Sequence, residues 1–221
     1  MTEQRFILLI KMRTFVLSLL PVAMILFSCG TKQTSGTSHY AEAIAAIDSN
    51  NYAGALKHLS AAIDAKESDT TLAYLFFLRG QMHEKTGSLD LAVLDYAEAV
   101  KQNPSDVDAH LKTGNVFNLL GKYPDALNSY NSALKINPEN IDFLLKRADI
   151  LTATDKDSLA FADFEKVIYL EPENDYAIMS RALIYQRFNQ KDKCCADLEK
   201  AASLGNETAE EFLFSMCGKQ K

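Results

Sequence analysis

The groups with chemistry to offer in this 221-residue chain are its cysteines, its histidines and a set of arginines matched by aspartates. A zinc site on a helix needs a spacing such as HExxH, or two imidazoles on one helical face. His39, His58, His83 and His110 are scattered without either, so packing roles and no metal are expected of them. No glycine-rich phosphate loop, Ser/His/Asp set or paired-carboxylate motif occurs. No catalytic residue and no cofactor is therefore expected, and a non-enzymatic role follows. The cysteines are more informative: Cys29 closes an apolar run, while Cys194, Cys195 and Cys217 sit together near the carboxyl end.

The run before Cys29, "FVLSLLPVAMILF" from Phe15 to Phe27, has 13 residues without a charge. A membrane-spanning helix needs roughly 20. Extending it upstream brings in Lys11 and Arg13, at roughly 2.5–3.5 kcal/mol each in the bilayer centre. A basic segment, an apolar segment and then small residues is the layout of a signal peptide, here residues 1–28. Leu26-Phe27-Ser28-Cys29-Gly30 resembles the lipobox of bacterial lipoproteins, although Phe27 stands where that family has a small residue. The resemblance implies that Cys29 carries a diacylglyceryl thioether as the first mature residue. Met12 is an alternative start to Met1. Residues 29–38, including "TKQTSGTS", have the composition of a flexible tether. Loss of residues 1–28 takes the formal net charge from −6 to −8. So acidic a chain lacks the basic stripe that nucleic acid requires.

The elements that position the remaining groups follow from a repeat. Pro104, Pro138 and Pro172 are each 34 residues apart, as are Ala92, Ala126 and Ala160. Three units align in this register, 73–106, 107–140 and 141–174. A fourth, 175–206, ends in Gly-Asn instead of proline, and residues 51–67 match a second half-unit. Within each unit, positions 20, 24 and 27 are spaced i, i+4, i+7 and share one helical face. Small residues at 20 and 27 admit a neighbouring backbone, and Tyr96, Tyr130, Phe164 or Leu198 at 24 fills the space left. Gly87 and Gly121, at position 15, fit the left-handed residue that ends a first helix. Pro124 fits the first turn of the next, and the later prolines stop the second helix. One such hairpin cannot bury its apolar face alone, so stacking supplies the core.

This pattern resembles the tetratricopeptide repeat (TPR) family, whose unit is a 34-residue helix-turn-helix. Small residues at position 8 (Gly80, Gly114, Ala148, Ala182) and proline at 32 belong to the likeness. It implies an all-α, right-handed α-solenoid of about five units over residues 39–206. Residues 207–221 then form a capping helix and tail, with Ala209, Phe212, Leu213 and Met216 on one face and Glu207, Glu210 and Glu211 near its amino end. Asn206 matches a glycan acceptor pattern, but the helix-cap reading fits better.

Arg at position 7 occurs with Asp at position 23 in three units: Arg79 with Asp95, Arg147 with Asp163, Arg181 with Asp197. The remaining unit has Thr113 and Ser129. Two columns that change together are what structural salt bridges produce, since half of a buried pair is costly alone. The alternative, a ladder of arginines for anions, needs side chains free of carboxylates. Cys194 stands in the small-residue column, which suits a buried stand-in for alanine. An exported chain is open to a disulfide from the Cys194/Cys195 pair to Cys217, Cys195 with Cys217 being the candidate and Cys194 the alternative. Three thiols on denaturation without reductant would exclude it.

In the TPR family, positions 2, 5, 9 and 12 of the first helices line a concave groove. The resemblance implies that this face carries Tyr74, Phe77, Gln81 and Glu84; Asp108, Leu111, Asn115 and Asn118; Asp142, Leu145, Asp149 and Thr152; and Tyr176, Met179, Leu183 and Gln186. Position 5 is apolar throughout, so an extended or helical segment with apolar anchors and some polar or basic groups fits. The alternative is that these anchors are half-buried packing between units. The expected protein is a lipid-anchored scaffold or adaptor with a protein or peptide partner, on the periplasmic face of the outer membrane. Its rivals are a regulatory subunit of a cell-envelope enzyme and a self-associating structural lipoprotein.

Overall fold

The computed structural model describes residues 38–67 and 71–218; the signal peptide, Cys29 and most of the tether lie outside them. Helices α1 (His39–Asp48) and α2 (Tyr52–Ala65) form the first hairpin. Then come α3 (Leu72–Lys85) with α4 (Leu89–Gln102), α5 (Val107–Leu119) with α6 (Tyr123–Ile136), α7 (Ile141–Ala153) with α8 (Asp157–Leu170), and α9 (Asp175–Arg187) with α10 (Lys191–Ser203). Helix α11 (Glu207–Cys217) closes the stack. Each helix packs chiefly on its neighbours in sequence. The described residues are thus an all-α solenoid of hairpins without strands. None of these helices is long and apolar enough to cross a membrane.

The local signals explain the boundaries. Asp106, Asn140 and Asn174, two residues after each repeat proline, cap the following first helix by accepting from the backbone N–H three residues on. Asn206 does the same for α11 through Ala209, which is the helix-cap reading of that residue. The turn inside each hairpin needs one left-handed residue. It is supplied by Asn50, Gly87, Gly121, Asp155 and Asn189, with φ between 55° and 76°. Asn and Asp tolerate that region better than other side chains do. Position 15 is therefore a conformational column even where it is not glycine.

The core is built from the small-residue columns. Ala55, Ala92, Ala126 and Ala160 are fully buried, as are Ala62, Ala99, Ala133, Val167 and Ala201. Tyr96, Tyr130, Phe164 and Leu198 fill the space between them. A methyl group added at Gly80 would sit 2.8 Å from the Tyr96 ring, and one at Gly114 would sit 2.6 Å from Tyr130. Where the ring is Phe164, or is replaced by Leu198, position 8 is Ala148 or Ala182 and is fully buried. The columns at 8 and 24 thus compensate in volume, as close packing demands.

At the carboxyl end, Ala209 is buried, and Phe212, Leu213 and Met216 are half-buried against Ile178, Leu198 and Ala201. Cys195 on α10 is joined to Cys217 on α11 by a disulfide with Cα atoms 5.9 Å apart. Cys194, one residue before and so about 100° round the helix, is buried as a free thiol. Burial raises its pKa and leaves it unreactive.

Candidate functional site

The arginine column is fully engaged. Arg79 Nη2 and Nε donate to the two carboxylate oxygens of Asp95 at 2.7 and 2.9 Å. Arg147 grips Asp163 at 2.6 and 2.8 Å, and Arg181 grips Asp197 at 2.9 and 2.8 Å. Two-pronged bonds of this kind are the strong form of the ion pair. They hold the pKa of Arg79 and of Arg181 above the ordinary value, with burial opposing. The remaining nitrogen Nη1 reaches back to the second helix of the preceding hairpin: to Ser60, Asn131 and Glu165 respectively. These three acceptors occupy one column, position 25, which holds Ala97 where the next unit has Thr113. Each arginine therefore clamps its own hairpin and the junction with the one before. In the exceptional unit, Thr113 and Ser129 each bond a carbonyl four residues back in their own helix, at 2.7 and 3.0 Å, and need no cross-partner. None of the three arginines is left to form an anion ladder.

The first helices present a second row of polar groups. The Tyr96 hydroxyl donates to Glu84 at 2.8 Å, and Lys112 reaches the same carboxylate at 3.4 Å from the next unit. The Tyr130 hydroxyl donates to Asn115 at 2.7 Å, and that of Tyr176 to Asp149 at 2.7 Å. The buried Tyr96 and Tyr130, and the exposed Tyr176, thus fix the rotamers of groove-facing side chains, a link that no spacing in the sequence reveals. Burial, followed by the hydrogen bond to Asp149, pushes the Tyr176 pKa up to about 12, so this phenol stays a donor.

The candidate groove residues divide into two kinds. Phe77, Leu111, Leu145 and Met179 at position 5 are half-buried and pack against the core clusters. Gln81, Glu84, Asn115 and Leu183 are half-buried too, whereas Tyr74, Asn118, Asp149, Tyr176 and Gln186 are exposed. Tyr74 stacks on Phe77 with ring centroids 6.5 Å apart, and Phe77 tilts against Tyr96 at 5.6 Å. The position-5 column therefore does packing work between units while keeping part of its surface open. A cleft of about 490 Å³ lies between α7 and α9, bounded by Asp149, Thr152, Tyr176, Met179, Leu183 and Arg187. Arg187 is committed to Asp157 at 2.7 Å. Although Asp149 as a residue is exposed, its carboxyl is partly withdrawn from water; this raises its pKa, against the hydrogen bond from Tyr176. A carboxylate so placed gains from a cationic visitor.

The structure also brings together residues that the sequence left apart. His39 and Glu42 on α1 meet His58 on α2, with His39 Nδ1 3.3 Å and His58 Nδ1 2.9 Å from the same Glu42 oxygen. The two histidines lie on different helices, so no single-helix spacing could reveal them.

Residues 40–107 match the family described as Tetratricopeptide repeat, and residues 114–155 that described as TPR repeat. Comparison with curated protein sequences finds no match. Among solved structures, the chain resembles a tetratricopeptide repeat protein from Parabacteroides merdae at 20% identity, with a TM-score of 0.72 over 83% of this chain and 75% of that one. It resembles MamA protein at 16% identity and a TM-score of 0.68, over 78% and 92% of the two chains. YrrB, described as a TPR protein with an unusual peptide-binding site, matches at 18% identity and a TM-score of 0.65, over 75% and 84%. Repeat register, hairpin architecture and these likenesses agree: the described residues fold as an all-α solenoid of tetratricopeptide repeats, with residues 40–107 and 114–155 matching that repeat directly.

Proposed function

We propose that this protein is a non-enzymatic scaffold, tethered by lipid on Cys29 at the periplasmic face of the outer membrane, that holds a peptide segment along its first-helix face. The observation that carries the binding role is the cleft between α7 and α9. There the Asp149 carboxylate lies beside Met179, Leu183 and the Tyr176 ring, within a recess of about 490 Å³. A segment with one apolar side chain next to a basic one answers both halves of this lining. The peptide-binding description of YrrB agrees with such a use of the fold. Export is supported by the apolar leader before Cys29 and by the Cys195–Cys217 bridge, since disulfides persist in oxidising compartments.

The binding role is tested with a photo-crosslinking residue at Tyr176, 41% exposed in the cleft, or at Leu94, 65% exposed on α4 and away from it. A discrete adduct is expected from the first position only, and Asp149→Lys should abolish it with circular dichroism unchanged. Equal capture from both positions, or capture indifferent to Asp149→Lys, would remove the cleft as the binding site. The half-buried Leu111 and Leu145 are poorer test positions because charge there also disturbs the core. Lipid attachment is tested separately. Cys29→Ser should move the protein from the membrane to the soluble fraction, and continued sedimentation with membranes would contradict the anchor.

A further inference from the structure

We propose that His39, Glu42 and His58 form a zinc site that ties the two helices of the first hairpin together. One ligand atom from each residue lies within 4.8 Å of the others. The two imidazole Nδ1 atoms stand 3.3 and 2.9 Å from the shared Glu42 oxygen. With metal–ligand bonds of about 2.0–2.1 Å, tetrahedral ligand atoms are about 3.3 Å apart. The two spacings to Glu42 therefore lie close to the edge of a zinc tetrahedron, and with the two imidazoles' ligand atoms no more than 4.8 Å apart, small side-chain adjustments admit the ion. Two nitrogens and one carboxylate oxygen favour zinc or a neighbouring transition ion over magnesium or calcium, which prefer oxygen alone. Three protein ligands leave the fourth position to water or to a group on a partner.

The frame that holds these ligands is already fixed. His39 and Glu42 are three residues apart, so they share one face of α1. The tight turn through Asn50, with φ of 57°, folds α2 back so that His58 comes opposite them. Glu67, just past α2, accepts the backbone N–H groups of His39 and Tyr40 at 2.8 and 2.9 Å and pins the start of α1 to the end of α2. The imidazole rings face one another with centroids 6.5 Å apart. Loading places the proton of each imidazole on Nε2 and turns the Nδ1 lone pair to the metal. The far end of the stack is closed by α11 and a disulfide; zinc here would brace the opposite terminal hairpin, which makes α1 and α2 more cooperative.

The test is calorimetric titration of the full chain, freed of metal by a chelator, with Zn²⁺ alone. One Zn²⁺ per chain is expected, with a rise in Tm on loading. His39→Ala and His58→Ala should each weaken binding by about tenfold or more, since even outer-sphere partners of a zinc ligand cost about 10–100-fold. Glu42→Gln keeps the size of the side chain and one acceptor oxygen while removing its charge, and should weaken binding likewise, so it decides the matter if either alanine variant fails to fold. No Zn²⁺ uptake, or uptake unchanged in Glu42→Gln, overturns the site.

Discussion

Asp163→Ala is expected to destabilise the solenoid by about 3 kcal/mol, the lower end of the loss typical when one partner of a buried ion pair is removed. The lower end applies because the Arg147 side chain keeps 24% of its surface exposed, while that of Asp163 keeps 8%. Without the carboxylate, Arg147 retains only Asn131 among its side-chain acceptors. The protein contains its own control for this claim. In the second full unit the same two positions hold Thr113 and Ser129, which satisfy themselves within their helices. Arg147→Thr combined with Asp163→Ser copies that arrangement and removes the stranded charge along with its partner. More than half of the single-variant loss should be recovered, the remainder being the packing of the arginine stem. Urea unfolding at constant m-value measures both variants. If the double variant unfolds as early as Asp163→Ala, the clamp account fails.

The second large effect concerns the disulfide. Cys195 and Cys217 enclose a segment with a sequence separation of 22, for which chain entropy gives about 3 kcal/mol of stabilisation. In a solenoid each unit leans only on its neighbours, so the loss falls locally. Cys195→Ser with Cys217→Ser is expected to release α11, uncovering Ala209, Leu198 and Ala201, while the central hairpins hold. Hydrogen exchange reads this directly: amides of 207–217 lose protection and those of α5 to α8 keep it. The buried Cys194 thiol remains in the variant and gives an internal check that α10 is intact, because it stays slow toward thiol reagents. Uniform loss of protection along the chain, or none at all, would show that the bridge does not secure the last helix.

Much of this architecture was legible in the primary structure, for a physical reason. A stack of equal hairpins imposes one spacing on every element that repeats, so the proline, alanine and position-24 columns repeat with a period of 34. The left-handed turn residue is less obvious, because Asp155 and Asn189 replace glycine there, yet the conformation is the same. The matched arginine and aspartate columns marked partners within each hairpin. Their third partners, Ser60, Asn131 and Glu165, were harder to see because they differ in type and belong to the preceding unit.

The sequence by itself determined which residues face the interior of each hairpin, where its helices start and stop, and that the units must stack. These depend on short spacings along one helix and on the period that repeats them. Tertiary structure alone decided three other matters: that Tyr96, Tyr130 and Tyr176 hand their hydroxyls to Glu84, Asn115 and Asp149, that Cys195 and not Cys194 meets Cys217, and that His39 and His58 converge on Glu42. Each depends on how one helix is rotated against the next. That rotation is set by side-chain packing summed over the interface, which no single periodicity records.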